Sequence, residues 1–164
     1  MIIYATGFDA MTGALSRIDV RGHGGMSLAD FWTSQGPYTY LGIAVAGFPN
    51  LFIVQAPGSP SAATNFVAAL EQHVEWIGDC IAHLRANGYR TIEALPDAQT
   101  EWMDHTTSLV APTVLNHPTC NSWYNGGNVP GKKRMYMGYT AGIPEYRRRC
   151  EEIAAGGYVG FKLA

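Results

Sequence analysis

The sequence predicts an α/β fold with a few strands, one long amphipathic helix and two shorter helices, around a sheet left incomplete within the chain. Three observations lead there. The short apolar run Asn50 to Gln55 reads as a buried strand; it meets the turn Ala56-Pro57-Gly58-Ser59-Pro60, and a long amphipathic pattern follows at once. In an α/β sheet this order sets a helix start at the carboxyl end of a strand, where ligands bind and where unpaired N–H groups favour an electron-rich atom. Charged residues are only 15% of the 164 residues while hydrophobic ones reach 47%, so part of the surface is expected to lie under other polypeptide. Met1 to Tyr4 is a β-type run with no turn or cap ahead of it, whereas domain ends are usually polar and frayed.

Along the chain, Thr6 to Asp9 turns, Ile18 to Arg21 alternates as a short strand, and Gly22-His23-Gly24-Gly25 is a tight turn. Ser27 to Trp32 reads as one helical turn and Tyr38 to Ile43 as another strand. The long helix is expected over Thr64 to Ala86, with Phe66, Leu70, Val74, Ile77, Ile81 and Leu84 drawing its apolar stripe, Ser61 or Thr64 capping its start, and Asn87-Gly88 ending it. A second helix starts near Asp97, with Glu101, Trp102, Thr106 and Leu109 in register, and stops before Pro112. A third has Pro144 in its first turn, Tyr146, Cys150 and Ile153 on one face, and Gly156-Gly157 at its end; Tyr158 to Leu163 closes the chain as a strand or extended tail. Between the last two helices, residues 116–142 hold five Gly and two Pro, a long loop of the kind that is more often functional than structural.

Several chemistries are weighed by residue type and spacing. The net charge of −2 excludes a nucleic-acid footprint, and no apolar run reaches the length of a membrane span. The three cysteines, Cys80, Cys120 and Cys150, are irregularly spaced and fit thiols packed in a reducing, cytoplasmic setting, in a soluble protein without a leader peptide. Cys80 and His83 lie three apart, but no second pair completes a tetrahedral metal site, so no metal is expected. Gly58-Ser59 is flanked by proline on both sides and lacks the G-x-S-x-G of a nucleophile elbow, which leaves Ser59 as a turn serine and no catalytic nucleophile. No G-x-G-x-x-G occurs. Trp123, with Asn128, Lys132, Lys133 and Arg134 after it, is read either as a loop anchor or as a platform for a nucleotide.

Ala5-Thr6-Gly7-Phe8-Asp9-Ala10, Tyr40-Leu41-Gly42, Gly47 to Phe52, Gly58-Ser59-Pro60-Ser61, Glu75-Trp76-Ile77, Ser122 to Lys132 and Ala154 to Tyr158 occur in this order. Together they resemble the C-terminal third of class B flavoprotein monooxygenases of the Baeyer–Villiger type, the phenylacetone and cyclohexanone monooxygenase group. The resemblance runs from Met1 to about Leu163. It implies the C-terminal part of a Rossmann-like FAD-binding domain, with residues 1–10 as a hinge toward an NADP domain and residues 116–142 as a mobile nucleotide-covering loop. In that family NADPH reduces FAD, O2 adds to the flavin, and one oxygen atom is inserted beside a ketone carbonyl to give an ester or lactone.

By the same resemblance, Thr6 and Gly7 sit at the hinge, and backbone amides near Asn65 and Phe66 face the pyrimidine edge of the flavin. Ser61, Ala62 and Ala63 form a bulge of the ketone pocket, and Trp123 closes over NADP. Both dinucleotide fingerprints would lie in an N-terminal part outside these residues. FAD and NADP binding therefore depends on that part, and the chain by itself is expected to be inactive. A complementary N-terminal chain is the partner this implies, and a non-catalytic binding module derived from such an enzyme is the alternative reading. An unrelated hydrolase is disfavoured by the missing elbow.

Overall fold

The computed structural model describes residues 1–4, 8–60 and 64–164. Among the described residues four α-helices span Leu28–Gln35 (α1), Phe66–Ala86 (α2), Pro96–Val110 (α3) and Ile143–Ala155 (α4). Four short strands, Ser59–Pro60 (β1), Ile92–Ala94 (β2), Gly138–Tyr139 (β3) and Phe161–Leu163 (β4), form two two-stranded sheets, with β1 parallel to β3 and β2 antiparallel to β4. The α/β class holds, but most of the expected strands do not form. Residues 50–55 make no ladder. Ile53 N–H donates to the Ile43 carbonyl and Asn50 N–H to that of Ile92, while Asn50 and Gln55 adopt left-handed φ of 59° and 58°, which break an extended run. Residues 38–43 fold into a turn closed by the Tyr40–Ala44 bridge, and residues 18–21 contribute only the Arg21–Ser27 bridge. Met1 to Tyr4 are exposed and form no strand.

The long helix sits where its periodicity placed it, but it buries a different face. Ala69, Gln72, His73, Trp76, Cys80 and Leu84 point inward, while Phe66, Val67, Val74 and Ile81 are exposed. Polar and aromatic side chains took the interior because each finds a partner there: Trp76 Nε1–H donates to the Cys150 carbonyl, and His73 is hydrogen-bonded through both ring nitrogens. A stripe chosen by aliphatic character alone could not see this. The N-cap position is Asn65 and not Thr64; Ser61 lies outside the described residues. In α3 the buried set is Gln99, Trp102, Met103, Thr106 and Val110, and Glu101 faces outward.

The main core gathers α2, α3, α4 and the two small sheets around stacked rings. Trp102 lies parallel to Tyr139 at 5.3 Å, and Tyr146 meets both rings edge-on. Trp76 packs against Tyr158 and Phe161. A second cluster joins α1 to the segment before β1 through Leu28, Trp32, Val45, Phe48, Ile53 and Ala56. Asn50 couples this segment to β2: its side chain accepts from Ile92 N–H and donates to the Arg90 carbonyl. Among the described residues no helix is long and apolar enough to cross a membrane.

Candidate functional site

The strand–turn–helix unit that dominated the sequence is built around the start of α2. Asn65, with extended ψ, caps the helix: its Oδ1 accepts from Ala68 N–H at 3.2 Å and its carbonyl from Ala69 N–H. The amides of Phe66 and Val67 are then left without an acceptor among the described residues, and both side chains are exposed. Of the two residues the resemblance assigns to the flavin edge, Asn65 is the cap of the helix and Phe66 carries an amide with no acceptor among the described residues. Thr6, Gly7, Ser61, Ala62 and Ala63 lie outside the described residues. Removing the cap in Asn65→Ala is expected to lower stability by about 1 kcal/mol; chemical denaturation of the two proteins measures it, and an unchanged midpoint would remove Asn65 from that role.

The turn ahead of the helix is held from several sides. Thr39 Oγ1 donates to the Pro57 carbonyl and accepts from Gly42 N–H. Ala56 N–H reaches the Gly42 carbonyl, Gly58 N–H the Met137 carbonyl, and the Gly58 carbonyl accepts from Trp102 Nε1–H at 3.1 Å. Ser59 is fully buried and gives its hydroxyl to the Ala56 carbonyl at 2.7 Å. It is a turn serine, as its flanking prolines indicated. Beneath this turn lies a pair the sequence did not single out. His73 and Tyr146 are both fully buried; the ring Nδ1 accepts from Gln55 N–H at 3.2 Å, and Nε2 meets Tyr146 Oη at 2.7 Å. Burial pushes the His73 imidazole down to about 4, so it is neutral near pH 7. A histidine in helical register with Trp76 was the available signal.

Trp123 opens a 3-10 turn, Trp123–Asn125, and stacks on Tyr124 with centroids 3.8 Å apart; Tyr124 in turn stacks on Tyr136. The loop around it is tethered by its own polar groups. Asn125 Nδ2 donates to the Cys120 carbonyl, and Asn128 Nδ2 to that of Phe8. The basic side chains suggested for a phosphate all have protein partners: Lys132 pairs with Asp9, Lys133 donates to the Gln35 carbonyl, and Arg134 to Asn121 Oδ1 and the Cys120 carbonyl. Glu93 accepts from Gly47 N–H and from His23 Nε2 at 2.9 Å. Burial raises that carboxyl, but these bonds outweigh it and hold it below its usual range.

Set beside known proteins, this backbone and this order of residues match flavin-dependent monooxygenases along the whole chain. The chain is homologous to one segment of Baeyer–Villiger monooxygenases. It is 45% identical to acetone monooxygenase (methyl acetate-forming) of Gordonia sp. (strain TY-5) over 165 residues, covering 100% of this chain and 30% of that protein. The closed crystal structure of cyclohexanone monooxygenase matches with a TM-score of 0.87 at 40% identity, over 98% of this chain and 29% of that one. OTEMO in complex with FAD and NADP matches with a TM-score of 0.86 at 37% identity, over 99% and 29%. No protein-family model matches. The chain thus spans about 30% of the length of the relatives it matches.

Proposed function

We propose that this chain forms the C-terminal part of the Rossmann-like FAD domain of a Baeyer–Villiger-type monooxygenase, closing one side of the flavin pocket. The observation that carries this reading is the match of 98% of the chain to 29% of a cyclohexanone monooxygenase structure at 40% identity. In this reading the start of α2, with the Phe66 and Val67 amides that have no acceptor among the described residues, would hold the pyrimidine edge of the flavin, where a helix start stabilises the negative charge of the reduced form. Bound there, FAD supplies the redox chemistry, passing electrons from NADPH to O2 and one oxygen atom to a ketone. The protein's own part is positional. Asn65 sets the helix start, and Ser61, Ala62 and Ala63 shape the ketone pocket. Thr6 and Gly7 lie in the hinge of residues 1–10, and Trp123 covers NADP from the loop of residues 116–142.

FAD and NADP both require the complementary N-terminal part, because these residues carry no G-x-G-x-x-G to hold a pyrophosphate. The exposed Ile2, Ile3, Phe66, Val67 and Val74 supply apolar surface for that part to cover. The isolated 164-residue polypeptide is expected to show no flavin absorbance and no ketone-dependent NADPH oxidation. Co-expression with an FAD- and NADP-binding N-terminal chain of this family is expected to restore ester or lactone formation. Tight association without any oxygenation would instead favour the non-catalytic module. In the restored enzyme, Trp123→Ala removes the platform stacked on Tyr124 and is expected to raise the KM for NADPH by about tenfold, the worth of one aromatic contact. An unchanged KM would return Trp123 to the role of a loop anchor.

A further inference from the structure

We infer that His73 and Tyr146 form a hydrogen-bonded relay whose task is to position the Gln55–Pro60 turn against the start of α2, making both of them positioning residues for the proposed pocket. Donor and acceptor counting fixes every proton in the relay. Gln55 N–H donates to Nδ1 of His73, so Nδ1 carries no hydrogen. The ring proton is then on Nε2 and is donated to Tyr146 Oη, and the Tyr146 hydroxyl hydrogen goes to the Leu41 carbonyl. One tautomer satisfies all the groups, inside a site that both side chains share at 0% exposure.

The ends of the relay are not arbitrary. Gln55 (φ 58°) and Leu41 (φ 59°) are two of five non-glycine residues with positive φ among those described. Each is a turn that needs outside support to persist. The two turns also bind one another, through Ala56 N–H to the Gly42 carbonyl and Ile53 N–H to that of Ile43. His73 belongs to α2 and Tyr146 to α4, so the relay ties both helices to the paired turns. His73 lies seven positions after Phe66, two turns into the helix whose start the pocket uses. The relay therefore ties the Gln55–Pro60 turn to the helix whose start the pocket uses. A simple apolar contact would fill the same space without fixing the Gln55 amide.

For its functional meaning the inference rests on the proposed flavin pocket; its first test does not. Amide hydrogen exchange is measured on the 164-residue chain, with His73→Phe, His73→Asn and Tyr146→Phe beside it. His73→Phe is expected to speed exchange at Gln55 by about tenfold, the change produced by one lost hydrogen bond to a half-buried amide. Exchange at Glu93 and Lys162, paired across the β2–β4 sheet and outside the relay, should stay as it was. His73→Asn, whose Oδ1 stands in for Nδ1, restores the protection. Uniform acceleration everywhere, or no change at Gln55, overturns the inference.

Should His73→Phe fail to fold, histidine nitrogen spectra of the unaltered chain and of Tyr146→Phe decide. The unaltered chain should show a single Nε2–H tautomer for His73, and Tyr146→Phe should keep that tautomer with the Nε2 resonance shifted by loss of its acceptor; an Nδ1–H tautomer in the unaltered chain refutes the relay. In the co-expressed enzyme, His73→Phe should raise the ketone KM several-fold more than it lowers kcat, with His73→Asn recovering it. Equal effects on kcat and KM in both variants would contradict positioning. Failure of the co-expressed enzyme to oxygenate any ketone would strike the flavin reading and leave the exchange result standing.

Discussion

Gly42→Ala is expected to destabilise the chain by roughly 3 kcal/mol or more, lowering the melting temperature by about 10 °C. Gly42 has φ 66°, and a Cβ there would stand 2.5 Å from both the amide nitrogen and the Cβ of Ser59, and 2.8 Å from its Cα. The left-handed backbone alone costs an alanine only about 1 kcal/mol. The remainder comes from what the methyl group strikes. Ser59 cannot retreat: its N–H and its hydroxyl are both bonded to the Ala56 carbonyl, and it pairs with Gly138 across the β1–β3 sheet. The two turns must separate, and the Ala56–Gly42 and Thr39–Pro57 hydrogen bonds go with them. Gly24 supplies the control, because its φ is 65° but nothing lies within 4 Å of its would-be Cβ. Gly24→Ala should cost only the backbone strain, about 1 kcal/mol. Thermal melts of the two variants giving equal losses would contradict the close approach at Ser59.

Acid should weaken the fold through His73, with a defined window. The folded imidazole titrates at about 4, against 6.5 for an ordinary histidine. Above pH 6.5 both states are neutral and the stability is complete. Between 6.5 and about 4 the unfolded chain takes a proton that the folded chain refuses, so stability falls as pH falls. Below about 4 both states are protonated, and His73 adds no further loss. A difference of this size corresponds to about 3 kcal/mol. His105 is pushed down as well, first by burial and then by nearby Arg149, and acts with the same sign. The carboxylates held low, Glu93 by its hydrogen bonds and Glu145 at about 2 chiefly by Arg148, add their own losses only as the pH falls further. Denaturant titrations at pH 7, 5.5 and 4.5 measure the slope, and His73→Phe should flatten it whatever its own stability. A slope unchanged by that substitution would mean that His73 titrates normally.

Helices were legible in the sequence because their signals are local. Pro144 and the Gly156-Gly157 pair bracket α4, and Asn87-Gly88 ends α2, as spacing and cap chemistry require. Strands were not, because a run such as Asn50 to Gln55 becomes a ladder only if a partner lies alongside. Here the neighbours Ile43 and Ile92 each offer a single carbonyl. The buried face of α2 was misread for a related reason. Which residues can be buried depends on acceptors from distant segments, such as the Cys150 carbonyl for Trp76. The proposal of Asn65 and Phe66 for a flavin edge came from resemblance rather than from periodicity; α2 begins at Phe66, capped by Asn65. His73 went unnoticed because its partners, Gln55 and Tyr146, are 18 and 73 positions away.

The most direct measurement is a structure of this chain co-expressed with an N-terminal FAD-binding part of the family and loaded with flavin. The expected result has the Phe66 and Val67 amides within hydrogen-bonding distance of the pyrimidine edge of the isoalloxazine, beside the Gln55–Pro60 turn. Flavin bound elsewhere, with those two amides turned to solvent or to another polypeptide, would contradict the assignment.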